Sequence, residues 1–266
     1  MSAGLPRAVW LLLLCSVPVP AAEPACPASA KDAASPLGPC EKKPVAVCLT
    51  AGDTLVAKPG CRAEALQRYE IACQRGELKG CSKQAFRLVE NSRDARVVER
   101  AIGLFTRACN GGDALGCSNL ASFAWDGEGM PKDAQKSARF AEKACTSGDA
   151  FACGLLGSLY AQGELGKPDP ARAFGLFQKA CSGGSASGCN QLGMAYLQGL
   201  GVKKDVDQAM ATWAGACRDR NAAACANMGK VLRANNDHAR AEKAFARACK
   251  LGDEEACGER DAPPEE

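Results

Sequence analysis

The sequence predicts an all-α solenoid, a stack of antiparallel helical hairpins joined by disulfides. Three observations carry this expectation. Cysteines come in six pairs with the same seven-residue gap: Cys73 and Cys81, Cys109 and Cys117, Cys145 and Cys153, Cys181 and Cys189, Cys217 and Cys225, Cys249 and Cys257. The first five pairs start 36 residues apart and the last starts 32 after its predecessor. The residues around each pair repeat by type, and a fixed period of this size marks a chain of identical supersecondary units.

The chain start reads as an export signal over residues 1–22. Arg7 precedes an apolar stretch opened by Val9 to Leu14, and Val19-Pro20-Ala21 offers small residues for cleavage after Ala21 or Ala22. The stretch is shorter than the about 20 apolar residues a spanning helix needs, so the mature chain is expected to have no transmembrane span. Leu14 stands where a lipid-attachment box requires a small residue before its cysteine, so no lipid anchor is expected at Cys15. Of 17 cysteines, sixteen then remain. An even number in an exported chain argues for disulfides in an oxidising compartment.

Residues 23–61 are rich in Pro and Ala and hold Cys26, Cys40, Cys48 and Cys61. They read as a disulfide-tied N-terminal cap, with three possible connectivities that the sequence leaves open. The repeats are expected over residues 62–262, followed by an acidic tail at 263–266.

Within each repeat the same residue types return. Alanine precedes the first cysteine (Ala72, Ala108, Ala144, Ala180, Ala216, Ala248), and glycine follows it three places on, except at Arg220. Gly or Ala always precedes the second cysteine. This is a helix end, a tight turn in the left-handed conformation that glycine tolerates, and a new helix start. Gly127, Gly163 and Gly199 close the new helix, and Asp133, Asp169, Asp205 and Asp237 are N-caps for the next. Ala173, Phe174, Phe177 and Ala180 return at helical spacing. Each unit is thus a pair of helices of about a dozen residues.

The turn also decides the cysteine chemistry. Residues eight apart in one helix lie about 12 Å apart along its axis, whereas a disulfide needs Cα atoms within roughly 7 Å. The glycine turn brings each pair together. Zinc sites favour Cys-x-x-Cys knuckles or Cys with His, and the only histidine is His238. Redox catalysis favours Cys-x-x-Cys beside a βαβ pattern, and neither is present. No metal or cofactor is expected. The net charge is +3 with no Lys/Arg block or aromatic stripe, so nucleic acid is not an expected partner.

The combination of Leu-Gly-x-x-Tyr on the first helix, a Gly-x-Gly turn, an Asp-capped second helix and an Ala-Cys ending resembles the Sel-one-like repeat, a relative of the tetratricopeptide repeat. The run from Cys189 to Val202 matches well, and the paired cysteines look like the secreted, disulfide-rich bacterial branch. The resemblance implies a right-handed α/α superhelix that acts as a protein-interaction scaffold. It also implies an alternative, since members of that branch are often assigned penicillin-binding or β-lactamase activity. A serine acyl-transfer enzyme of the usual kind shows Ser-x-x-Lys and Lys-Thr-Gly, and the sequence has neither.

By the same resemblance, the first helix of each unit lines a concave surface. Positions one, five, eight and nine after the second cysteine are expected to face outward. They give candidate binding residues Ser122, Trp125, Asp126, Ser158, Gln162, Asn190, Met194, Gln198, Lys230 and Arg233, with Ser118, Gly154 and Ala226 at position one. Hydroxyls and amides suit an extended peptide, in a protein or a cell-wall-related segment. Lys230 and Arg233, three apart, suit a carboxylate. No residue is expected to be catalytic.

Overall fold

A computed structural model of the chain describes Cys26, Cys40 and residues 44–90 and 92–261. The expected signal peptide, Cys15 and the 263–266 tail lie outside the described residues. The regular structure within them is helical: α1 (Val45–Val56), α2 (Arg62–Gln74), α3 (Leu78–Val89), α4 (Ala95–Asn110), α5 (Ala114–Asp126), α6 (Ala134–Thr146), α7 (Ala150–Gln162), α8 (Pro170–Ser182), α9 (Ala186–Gln198), α10 (Val206–Arg218), α11 (Ala222–Ala234), α12 (His238–Lys250) and α13 (Glu254–Asp261). None is long and apolar enough to cross a membrane. Odd-numbered helices are called A and even-numbered ones B. Each A helix packs along the B helix that follows it, and α3, α5, α7, α9 and α11 also pack on one another in succession. No two B helices pack as closely among the described residues. The A helices therefore form the inner layer of the solenoid.

Caps fix where each helix starts. Asp94, Asp133, Asp169, Asp205 and Asp237 accept backbone N–H bonds at the starts of the B helices. Asp113, Asp149, Ser185 and Asn221 do the same for A helices. Each such cap typically contributes about 1 kcal/mol. The turn from B to A closes on the alanine before the first cysteine, whose carbonyl accepts the N–H five residues on, as in Asp149 N to Ala144 O at 2.9 Å. This is the Schellman ending, and it requires one residue at positive φ. Gly112, Gly148, Gly184 and Gly252 supply it at φ 87–98°, and Arg220 does so at φ 68° without glycine's freedom.

All six expected disulfides are formed, with Cα–Cα distances of 4.3–4.9 Å. Each ties the last turn of a B helix to the first turn of the next A helix, so it links neighbouring hairpins. The four N-terminal cysteines pair as Cys26–Cys61 and Cys40–Cys48. Cys40 and Cys48 share the eight-residue separation of the repeats, and α1 with α2 forms a hairpin on the same plan.

The core alternates small and large residues. Four residues after the second cysteine the A helix carries Gly52, Gly157, Gly193 or Gly229. Four before the next first cysteine its B helix carries Tyr69, Phe177, Trp213 or Phe245. A methyl group added at Gly193 would lie 2.4 Å from Trp213 Nε1, and one at Gly157 2.6 Å from Phe177 Cε1. Trp213 and Phe245 are fully buried. Burying such a ring contributes about 1.5–3 kcal/mol, and it fits here only because the facing helix lacks a side chain. At the hairpin junctions, Gly80, Gly116 and Gly188 approach Ala72, Ala108 and Ala180 with no room for a Cβ. The small residues beside the cysteines thus let adjacent backbones touch.

Candidate functional site

Position one after the second cysteine, expected to face outward, is buried at Ser118, Gly154 and Ala226. Where it is a serine, it faces the start of the next A helix instead of the groove. Ser82 Oγ donates to Asp113 Oδ1 at 2.5 Å, and Ser118 Oγ to Asp149 Oδ1 at 3.0 Å. Each serine so binds the cap of the next unit. One unit further on, Gly154 and Ser185 replace the serine and the aspartate, and this stitch lapses.

Where it lapses there is a cleft of about 290 Å³ spanning α5, α7 and α9. It brings together five of the expected residues: Ser122, Trp125 and Asp126 from α5, and Ser158 and Gln162 from α7. Phe151, Leu155, Ser187 and Gln191 complete much of its wall and were not among the expected residues. Phe151, two places before Cys153, is 53% exposed, the most of any large apolar side chain among the described residues. Trp125 is half-buried, with Lys132 Nζ 4.4 Å from its ring centroid. Ser158 accepts from Gln191 Nε2 at 2.6 Å and donates to Gly154 O at 3.2 Å. Gln191 Oε1 is buried without a hydrogen-bond partner, and a Cβ on Gly154 would sit 2.9 Å from it.

The electrostatics of this inner surface are unusual in one respect. Helices α5, α7 and α9 contain no Lys or Arg, and Asp126 is their only charged residue. Asp126 is exposed and forms no ion pair among the described residues. The B helices packed on them carry cations, among them Arg100, Arg107, Lys136, Arg139, Lys143, Arg172 and Lys179.

The remaining expected residues lie elsewhere. The Asn190 side chain accepts from Asn227 Nδ2 at 3.0 Å, and its carbonyl accepts from Trp213 Nε1 at 3.1 Å, so it struts two units together. Met194 packs against the cluster around Trp213. Gln198 is exposed at the end of α9, outside the cleft wall. Lys230 and Arg233 line a second hollow, where Glu255 and Glu259 of α13 already pair with them. The carboxylates expected from a ligand there come from the chain's own last helix. The bond from Lys230 to Glu255, 2.8 Å long, raises the Lys230 pKa against the opposing pull of partial burial.

A comparable pairing closes the N-terminal end. Lys83 Nζ lies 2.5 Å from Asp53 Oδ1, and the buried Tyr69 hydroxyl donates to the same oxygen at 2.7 Å. Partial burial pushes the Asp53 carboxyl up. The bonds from Lys83 and Tyr69, with the charges of Lys83 and Arg87, outweigh it and hold the carboxyl below its usual value. Burial and the bond to Asp53 push the Tyr69 phenol well above its usual range.

No lysine or histidine lines the α5–α7–α9 cleft. Ser122 donates to Ser118 O and Ser158 to Gly154 O, so neither hydroxyl is aimed at a base, as nucleophilic activation requires. Among the described residues no group of three His, Cys, Asp or Glu is arranged to hold a metal ion.

Residues 95–113, 114–149, 150–185 and 186–211 match the family described as "Sel1 repeat". No curated protein matches the chain significantly. Several solved structures share its fold. A Sel1 repeat protein from Oxalobacter formigenes is 24% identical, with a TM-score of 0.69 over 79% of this chain and 87% of that one. A protective antigen of uropathogenic Escherichia coli displaying an SLR fold is 22% identical, with a TM-score of 0.68 over 83% of this chain. The match spans only 49% of that antigen's length. An immunity protein from Pseudomonas aeruginosa is 18% identical, with a TM-score of 0.51 over 68% of each chain. Four consecutive units, matched in the register set by the disulfides, identify residues 95–211 as Sel1 repeats.

Proposed function

We propose that the chain is an exported scaffold, periplasmic or secreted, that binds an extended polypeptide segment across its A-helix layer and catalyses no chemistry itself. The partner is a protein segment or a cell-wall-related peptide. The observation that carries this reading is the cleft shared by three successive A helices. Its wall combines apolar anchors (Trp125, Phe151, Leu155) with hydroxyls and amides that can meet main-chain N–H and C=O groups. Eight disulfides support an oxidising location. The hydrolase alternative gains nothing from the cleft, where the Ser122 and Ser158 hydroxyls donate to backbone carbonyls.

A displayed library of random dodecapeptides selected against the oxidised protein tests this. Enriched peptides should bind the protein and lose most of their affinity with Phe151→Ala and with Gln162→Ala, both of which should leave the melting temperature unchanged. No enrichment, or binders indifferent to both substitutions, would sink the proposal.

A further inference from the structure

We infer that the cleft selects peptides in which a Lys or Arg stands next to a bulky apolar residue. This rests on the peptide-binding reading and specifies the ligand of that same site. Across α5, α7 and α9 the one charge is the Asp126 carboxylate, exposed and without an ion pair among the described residues. The nearest described cation on the adjoining loop, Lys132, is stacked on the Trp125 ring and forms no salt bridge with Asp126. Elsewhere on the A layer, three cations are satisfied internally: Lys83 with Asp53, Lys230 with Glu255, Arg233 with Glu259. A ligand carboxylate therefore finds no unpaired partner in the cleft, whereas a ligand cation does.

The neighbouring chemistry points the same way. Phe151 and Leu155 offer apolar surface to a bulky side chain, and the Trp125 indole lies beside Asp126 in the same wall. The aliphatic stem of Lys or Arg can lie along such surface while its head reaches a carboxylate. The cleft floor adds an unpaired acceptor, Gln191 Oε1, beside Gly154. None of the described B-helix cations pairs with Asp126.

The test uses three pools of acetylated, amidated octapeptides, randomised over uncharged residues around a fixed central Leu-Lys, Leu-Gln or Leu-Glu pair. Binding to the oxidised protein is measured by calorimetry at low salt. The Lys pool should bind about five- to tenfold tighter than the Glu pool, with Gln between, the span expected of a half-exposed ion pair set against like-charge repulsion. Asp126→Asn should bring the Lys-to-Glu ratio close to one, and added salt should shrink it. Equal affinity of the Lys and Glu pools, with all three weakened by Phe151→Ala, overturns the cation preference and leaves the groove reading standing. A preference that persists in Asp126→Asn also overturns it, by assigning the selectivity to another group. No binding by any pool overturns both readings.

Discussion

Replacing Gly193 by alanine should destabilise the protein, while the same substitution at Gly175 should stabilise it. Both glycines sit inside helices, and alanine there gains about 0.8–1 kcal/mol of helix propensity. At Gly175 the new methyl group meets nothing within 4 Å, so that gain should appear nearly whole. At Gly193 the methyl would press 2.4 Å from Trp213 Nε1 and 2.7 Å from Cδ1 and Cε2. Overpacking of this kind costs about 1–3 kcal/mol. Displacing the indole would also break its 3.1 Å bond to Asn190 O, about 1 kcal/mol more. The net expectation is a loss of about 1–3 kcal/mol at Gly193 against a gain of up to about 1 kcal/mol at Gly175. Urea titration followed by Trp213 emission, in a Trp125→Phe background beginning at Glu23, would read the two changes at the affected unit. A local probe is needed because a repeat array can unfold in parts. If Gly193→Ala stabilised the chain as much as Gly175→Ala, the ring-on-glycine packing that organises four of the hairpins would be refuted.

Removing the Cys181–Cys189 disulfide by a double alanine substitution should cost about 2–3 kcal/mol, the chain-entropy value for so short a loop, in the same titration. Arg220→Gly should stabilise by about 1 kcal/mol, because Arg220 holds φ 68° where the other units use glycine, and an unchanged midpoint would count against backbone strain there. Asp53 contributes stability above its unfolded pKa near 3.8, and that contribution should fade as pH falls through its lower folded value. Protection of the α1 and α2 amides relative to their intrinsic exchange rates should therefore fall below about pH 4, and Asp53→Asn should flatten that acid dependence.

The repeats were legible because each needs a particular residue at a particular place. Asp133, Asp169, Asp205 and Asp237 cap as expected, and the alanine before each first cysteine supplies the Schellman carbonyl. The α1–α2 hairpin escaped notice because Pro39 and Val47 replace the alanine and the small residue that flank the other pairs. Its signature was present further in. Gly52 follows Cys48 by four and Tyr69 precedes Cys73 by four, the placing of Gly157 and Phe177.

The groove was legible only in part. Positions five, eight and nine reach the cleft through Ser122, Ser158, Trp125, Asp126 and Gln162. At position one Ser118 is turned toward the next unit's cap by close hairpin packing, and only Gly154, which has no side chain, reaches the cleft floor. Phe151 was missed because it stands before its cysteine, on the first turn of α7. The partners of Lys230 and Arg233 come from α13, beyond the last full hairpin, and spacing within one helix cannot reveal a neighbour on another.

The disulfides join each hairpin to the next across the B-to-A turn, and this has a consequence for survival among proteases. A cut in residues 110–116 would leave both fragments bonded through Cys109 and Cys117, and the turns at 146–152 and 182–188 are enclosed in the same way. The A-to-B loops have no such closure. Nicks there, as between Gly127 and Lys132, would sever the backbone with only non-covalent contacts left to hold the halves. Limited digestion should therefore release fragments that begin at B helices and not at A helices, each carrying its intact covalent junction to the neighbouring unit.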